Sequence, residues 1–77
     1  MREYKYTILL EQDPESGGYT VTVPMLPGIV TQGDTLEEAI ANARESISLH
    51  IQGMLKDGEA VPEETGHPQA LTIDVAA

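Results

Sequence analysis

The sequence has no cysteine, tryptophan or phenylalanine, and only four lysines and arginines among its 77 residues. Each shortage removes a class of protein. Without cysteine there is no disulfide framework, and with only His50 and His67, well apart in the chain, the ligand set of a structural zinc site is missing. Three tyrosines are the only aromatics, too few for a platform on which RNA bases stack. Four cations against thirteen carboxylates leave a formal net charge of −9, a surface that repels phosphate backbones. No run approaches the ~20 apolar residues of a membrane span, and no apolar signal-peptide run follows Met1-Arg2-Glu3-Tyr4-Lys5. A soluble cytoplasmic protein without a cofactor is the expectation.

The length allows one domain, residues 1–77. A chain this short buries only roughly 60 % of the surface its unfolded form exposes. With disulfides and metal removed, self-association as a dimer or tetramer is the expected source of extra stability. The acidity serves solubility, and it also suits a basic partner found by electrostatic steering.

Period-two patterning marks the first half of the chain. Tyr4, Tyr6, Ile8 and Leu10 fall on one face of an extended segment, and Lys5, Thr7 and Glu11 on the other. A turn follows over residues 12–18, where Pro14 fixes φ and Gly17-Gly18 permit positive φ. Tyr19, Val21 and Val23 alternate with threonines in a second strand, an economical hairpin with the first. Pro24-Met25-Leu26-Pro27-Gly28 interrupts the ladder because proline has no backbone donor. Residues 29–32 form a third short strand that ends at Gly33.

The strongest local signal comes next. Thr35-Leu36-Glu37-Glu38 is a capping box, and Asp34, Glu37 and Glu38 complement the positive end of a helix dipole. Leu36, Ile40, Ala43, Ile47, Ile51 and Met54 recur at spacings of four and three, an apolar stripe that must lie across the sheet. Gly58 terminates the helix as the C′ residue. Residues 59–68 read as an extended loop. Leu71, Ile73 and Val75 then alternate with polar residues in a fourth strand over residues 70–75. The expected fold class is α+β: an antiparallel β-β-β-α-β sheet with one long helix packed across one face.

Catalytic chemistry finds little support in these residues. Ser46 and His50 lie one helical turn apart, but no third group orients them. His50 is expected at the border of the helix–sheet interface. Asp13, Glu15, Asp34, Glu37 and Glu38 are carboxylates whose turn and capping roles already explain them, and no calcium-loop spacing occurs. The glycine pair precedes a strand instead of a helix, so no phosphate cradle forms. Arg2, Lys5, Arg44 and Lys56 do not cluster in sequence. The residues left with a role to fill are those of a binding protein. A rigid proline loop presenting Met25 and Leu26 loses little entropy on binding, and the acids after the helix suit a basic partner.

Several blocks in the chain together resemble the HicB-like antitoxin family: Gly17-Gly18-Tyr19, Pro24-Met25-Leu26-Pro27-Gly28, Thr31-Gln32-Gly33-Asp34-Thr35-Leu36-Glu37-Glu38-Ala39, and Asp57-Gly58-Glu59 with Pro62. The resemblance covers about half the chain. It implies a partial ribonuclease-H-like β-β-β-α-β core. It also implies a non-enzymatic job: neutralising a HicA-like toxin, a small protein that cleaves messenger RNA, through protein–protein contact. Met25 departs from the family, whose proline loop often carries an acid before the leucine. Many family members also continue into a DNA-binding module, whereas this sequence stops after the fourth expected strand, so direct nucleic-acid binding is not expected of it. Toxin contacts are assigned to Tyr19, Met25, Leu26, Asp57, Glu59, Glu63 and Glu64. The alternatives are an orphan regulatory or scaffold domain with no toxin, and a metal-dependent nuclease acting through Asp13 or Asp34.

Overall fold

Four elements follow one another in the computed structural model, which describes residues 3–77: β1 (Leu9–Gln12), β2 (Tyr19–Thr22), β3 (Val30–Gly33) and α1 (Leu36–Lys56). Met1 and Arg2, the latter among the cations considered above, lie outside the described residues. The strands make an antiparallel meander in the order β1-β2-β3, and α1 packs across one face against β3 and β2. The α+β architecture expected from the patterning is therefore present from β1 to the end of the helix.

Local chemistry explains each connection. In the β1–β2 turn the Asp13 carboxylate accepts a hydrogen bond from the Glu15 N–H at 2.9 Å, and Gly17 adopts φ +77°. The Asp13 N–H donates to the Gly18 carbonyl at 2.8 Å, which closes the hairpin. Between β2 and β3 the Leu26 N–H bonds the Val23 carbonyl and the Ile29 N–H bonds the Leu26 carbonyl, each at 3.0 Å. These are two consecutive β-turns with Pro24 and Pro27 at the second position, where a fixed φ is an advantage. The tandem turn aims Val23, Leu26 and Ile29 into one buried cluster, with Ile47 of the helix packed against it.

The β1 ladder is shorter than the alternating segment that contains it. Leu9 pairs with Thr22, so the same register sets Thr7 opposite Pro24, which cannot donate. Pairing therefore stops at Leu9, although Tyr6 and Ile8 still pack on the core.

Helix α1 starts and stops as its sequence dictates. The Thr35 hydroxyl accepts from the Glu38 N–H at 3.1 Å. At the far end Glu59 N–H bonds Met54 C=O at 2.9 Å and Gly58 N–H bonds Leu55 C=O at 3.2 Å, with Gly58 at φ +73°. That pair of bonds is a Schellman motif. The buried helical residues are Ala39, Ala43 and Ile51, whereas Leu36, first in the expected stripe, is 48 % exposed. The rotation has a steric cause: Gly33 of β3 touches the backbone at Ala39, so the helix enters where only small residues fit. His50 is exposed and does not border the helix–sheet interface.

The expected fourth strand is absent. Residues 60–77 carry no regular structure, and Leu71, Ile73 and Val75 stand 81, 75 and 76 % exposed. The tail meets the sheet through Pro62 and Glu64 near Tyr6 and Thr7, whereas the apolar alternation begins only at Ala70. The radius of gyration is 14.6 Å, against about 11.5 Å for a compact chain of this length. The tail projects from the body.

Candidate partner-binding surface

Sheet register gathers acids that lie far apart in sequence. Tyr19 pairs with Gly33, which brings the β1–β2 turn beside the junction of β3 and α1. A cleft of about 420 Å³ opens there, with Asp13 from the turn, Asp34 before the helix cap and Glu38 from the first helical turn around Tyr19. The Asn42 amide donates to the Gln32 carbonyl at 2.8 Å and holds one wall. Asp13 is held below its ordinary carboxylate pKa, chiefly by the Glu15 backbone N–H and further by Ser16. It stays anionic at neutral pH. The Tyr19 ring is half-buried against the cluster of Val21, Ala39 and Ala43, so its body is structural and its edge lines the cleft. Sequence reasoning assigned these acids to a turn and to a helix start, positions that they occupy, and missed their convergence because register is not visible in local spacing.

The other residues singled out from the sequence fall elsewhere. Met25 is half-buried at the tip of the tandem turn, and Leu26 is 3 % exposed and part of the core. Leu26 thus holds the loop in place and leaves Met25 at the surface. Asp57 caps the helix C-terminus, with Glu59 and Glu63 exposed beyond it. The separation from Ala39, near the Tyr19 cleft, to Asp57 is about 27 Å of helix. Asp57 therefore lies at the far end of the helix from Tyr19, whereas Glu63 returns beside Tyr4, Lys5 and Tyr6, and these residues form no single patch.

Glu64 has a different role. Its side chain is only 2 % exposed and accepts hydrogen bonds from the Thr7 N–H at 2.8 Å and the Thr7 hydroxyl at 2.7 Å. His67 Nδ1 lies 3.0 Å from the same carboxylate. The Thr7 N–H, then its hydroxyl, hold the Glu64 pKa below 4.5, with His67 adding to the effect against desolvation. This carboxylate staples the tail to the segment preceding β1 and is not offered to a partner. Ser46 and His50 acquire no third member, and the described residues contain no group of three or more His, Cys, Asp or Glu side chains placed to hold a metal ion.

Residues 6–72 match the family described as the HicB-like antitoxin of bacterial toxin–antitoxin systems. A UPF0150 protein of Synechocystis is 48 % identical over 70 residues, spanning 91 % of this chain and 87 % of that protein. Antitoxin HicB 1 of Photorhabdus laumondii is 36 % identical over 62 residues, 80 % of this chain but 39 % of the antitoxin. An uncharacterized 14.9 kDa protein of Haemophilus phage HP1 is 50 % identical over 58 residues, 75 % of this chain and 42 % of that protein. This chain therefore spans less than half of the two longer relatives. Among solved structures, the N-terminal domain of Burkholderia pseudomallei antitoxin HicB superposes with a TM-score of 0.68 at 36 % identity, over 83 % of this chain and 72 % of that one. Family match, relatives and fold agree, and the chain belongs to the HicB-like antitoxin family.

Proposed function

We propose that this antitoxin binds and neutralises a small basic HicA-type toxin by protein–protein contact, in the cytoplasm and without chemistry of its own. The observation that carries the reading is the family match across residues 6–72. The electrostatics support it: an excess of nine negative charges steers a basic ribonuclease toward this surface, and an acidic cover competes with RNA for the same cations. The cleft around Tyr19 accepts a lysine or arginine side chain between Asp13, Asp34 and Glu38, while Met25 offers an apolar contact on a rigid turn. Asp57 and Glu59 extend the acidic surface at the far end of the helix, and Glu63 extends it beside Tyr4 and Tyr6. Leu26 and Glu64 act indirectly, through the loop and the tail that they hold.

The test is co-expression with the short basic protein encoded beside the gene. Restored growth and a purified complex that no longer cleaves RNA are expected. Affinity should fall by about tenfold or more between low and moderate salt, because exposed charges are screened over ~10 Å. Toxin that keeps cleaving RNA in the presence of excess antitoxin refutes the proposal. Within it, the double substitution Asp34→Asn with Glu38→Gln should slow association more than it speeds dissociation.

A further inference from the structure

We propose that residues 70–75 are an exchange strand, which adds to the open edge of β1 in a second copy of the chain and lays its apolar face of Leu71, Ile73 and Val75 toward the groove between α1 and the segment that leads into β1. The inference is independent of the toxin reading.

The segment has the pattern of a half-buried strand and no surface to bury it on. Its three apolar residues are all at least 75 % exposed, and among the described residues no hydrogen bond engages 68–77. Its own sheet does not receive it. Glu64 is tied to Thr7, so a tail running parallel to β1 brings 66–69 opposite β1 and carries 70–75 past its end, alongside the turn. The residues that come into register are Gly66, His67, Pro68 and Gln69, none of them a strand former, and Pro68 lacks a donor. An antiparallel tail carries 70–75 off the other end.

A receiving site for such a strand exists on the body. β1 lies at the margin of the sheet, so one side of its backbone has no ladder partner. Next to it, a groove of about 330 Å³ runs between the segment that leads into β1 and α1, floored by Tyr6, Ile8, Ile40, Ala43 and Ile47. Lys5 and Arg44 line the same groove, which places two of the chain's four cations there. The exchange strand carries a single charge, Asp74. In a molecule of net charge −9, this groove is where an apolar segment with one carboxylate from an identical chain meets complementary charge. Reciprocal exchange closes a two-fold dimer in which each copy gives one arm and receives one, so no arm is left free to extend the assembly.

Sedimentation equilibrium of the full chain over a range of micromolar concentrations tests the proposal. A dimer is expected, and Leu71→Asp or Ile73→Asp should weaken it by about tenfold or more. Val30→Asp, on the exposed face of β3, should leave it unchanged. The substituted tail positions are exposed, so helical circular dichroism should match the parent. The natural lack of cysteine permits a second readout: chains carrying Arg44→Cys together with Leu71→Cys, Ile73→Cys or Val75→Cys, oxidised when dilute. Exchange predicts a covalent dimer for at least one pair. A monomer at every concentration, a dimer indifferent to both tail substitutions, or disulfides that close only within one chain each overturn the proposal.

Discussion

Replacing Gly33 by alanine should pry α1 from the sheet. A Cβ at Gly33 would lie 2.7 Å from the Ala39 Cα and 2.8 Å from the Glu38 carbonyl carbon, and it would also press on the Ala39 nitrogen. Carbon pairs rest at about 3.5–4.0 Å, so the first turn of α1 must retreat by roughly 1 Å. All three atoms are backbone, and no rotamer change relieves the contact. Overpacking of this kind costs about 1–3 kcal/mol, and the upper end applies when the neighbour is a helix terminus. The reduced entropy of the unfolded chain returns about 0.4–1 kcal/mol, which leaves a net loss of about 2 kcal/mol. In a domain of this size that lowers Tm by about 8–16 °C, read by circular dichroism at the helix band. Gly28→Ala is the control: nothing lies within 4 Å of its Cβ and its φ is not positive, so it should be neutral or slightly stabilising. The retreat also draws Glu38 and Asn42 away from Tyr19 and strains the Asn42–Gln32 bond, so partner affinity should fall with Tm. If Gly33→Ala melts with Gly28→Ala, the account of why Ala39 and not Leu36 is buried is wrong.

Three further outcomes follow from the same geometry. Thr35→Ala removes the acceptor for the Glu38 N–H and should cost about 1 kcal/mol in urea unfolding, with Thr35→Ser restoring most of it. Leu26→Ala should cost about 2–5 kcal/mol because a buried side chain leaves a cavity, whereas Met25→Ala should hardly change stability yet weaken toxin binding; equal effects on stability would sink the division between them. Glu64 has a folded pKa below its ordinary 4.5, so its contribution is complete at neutral pH and declines as pH falls from about 4.5 through the folded value. The Thr7 amide resonance should report that titration, and Glu64→Gln should abolish it; a Thr7 amide indifferent to acid would mean that the staple does not form in solution.

Much of this fold is legible in the sequence alone. The capping residue Thr35, the terminator Gly58 and the alternation through Tyr19 and Val21 are local chemistry, set within a few bonds of each residue. The proline loop was read correctly as a break and incompletely as a surface. Tandem turns send Leu26 inward and leave Met25 out, and that choice depends on the Val23, Ile29 and Ile47 side chains waiting beneath. The acids of the Tyr19 cleft were each noticed, but their meeting depends on which residue of β2 faces which residue of β3.

The sequence by itself therefore determined the element order through α1, the helix limits and the acidic charge balance. All of these arise from propensities and sums that need no neighbours. Tertiary structure alone decided the helix rotation, because the approach at Gly33 sets which face can be buried, and alone decided that Glu64 is a staple. It also decided the fate of residues 70–75. Their alternation is a strand's in isolation, but a strand exists only where an edge in the right register receives it, and within one copy of this chain that edge is out of reach.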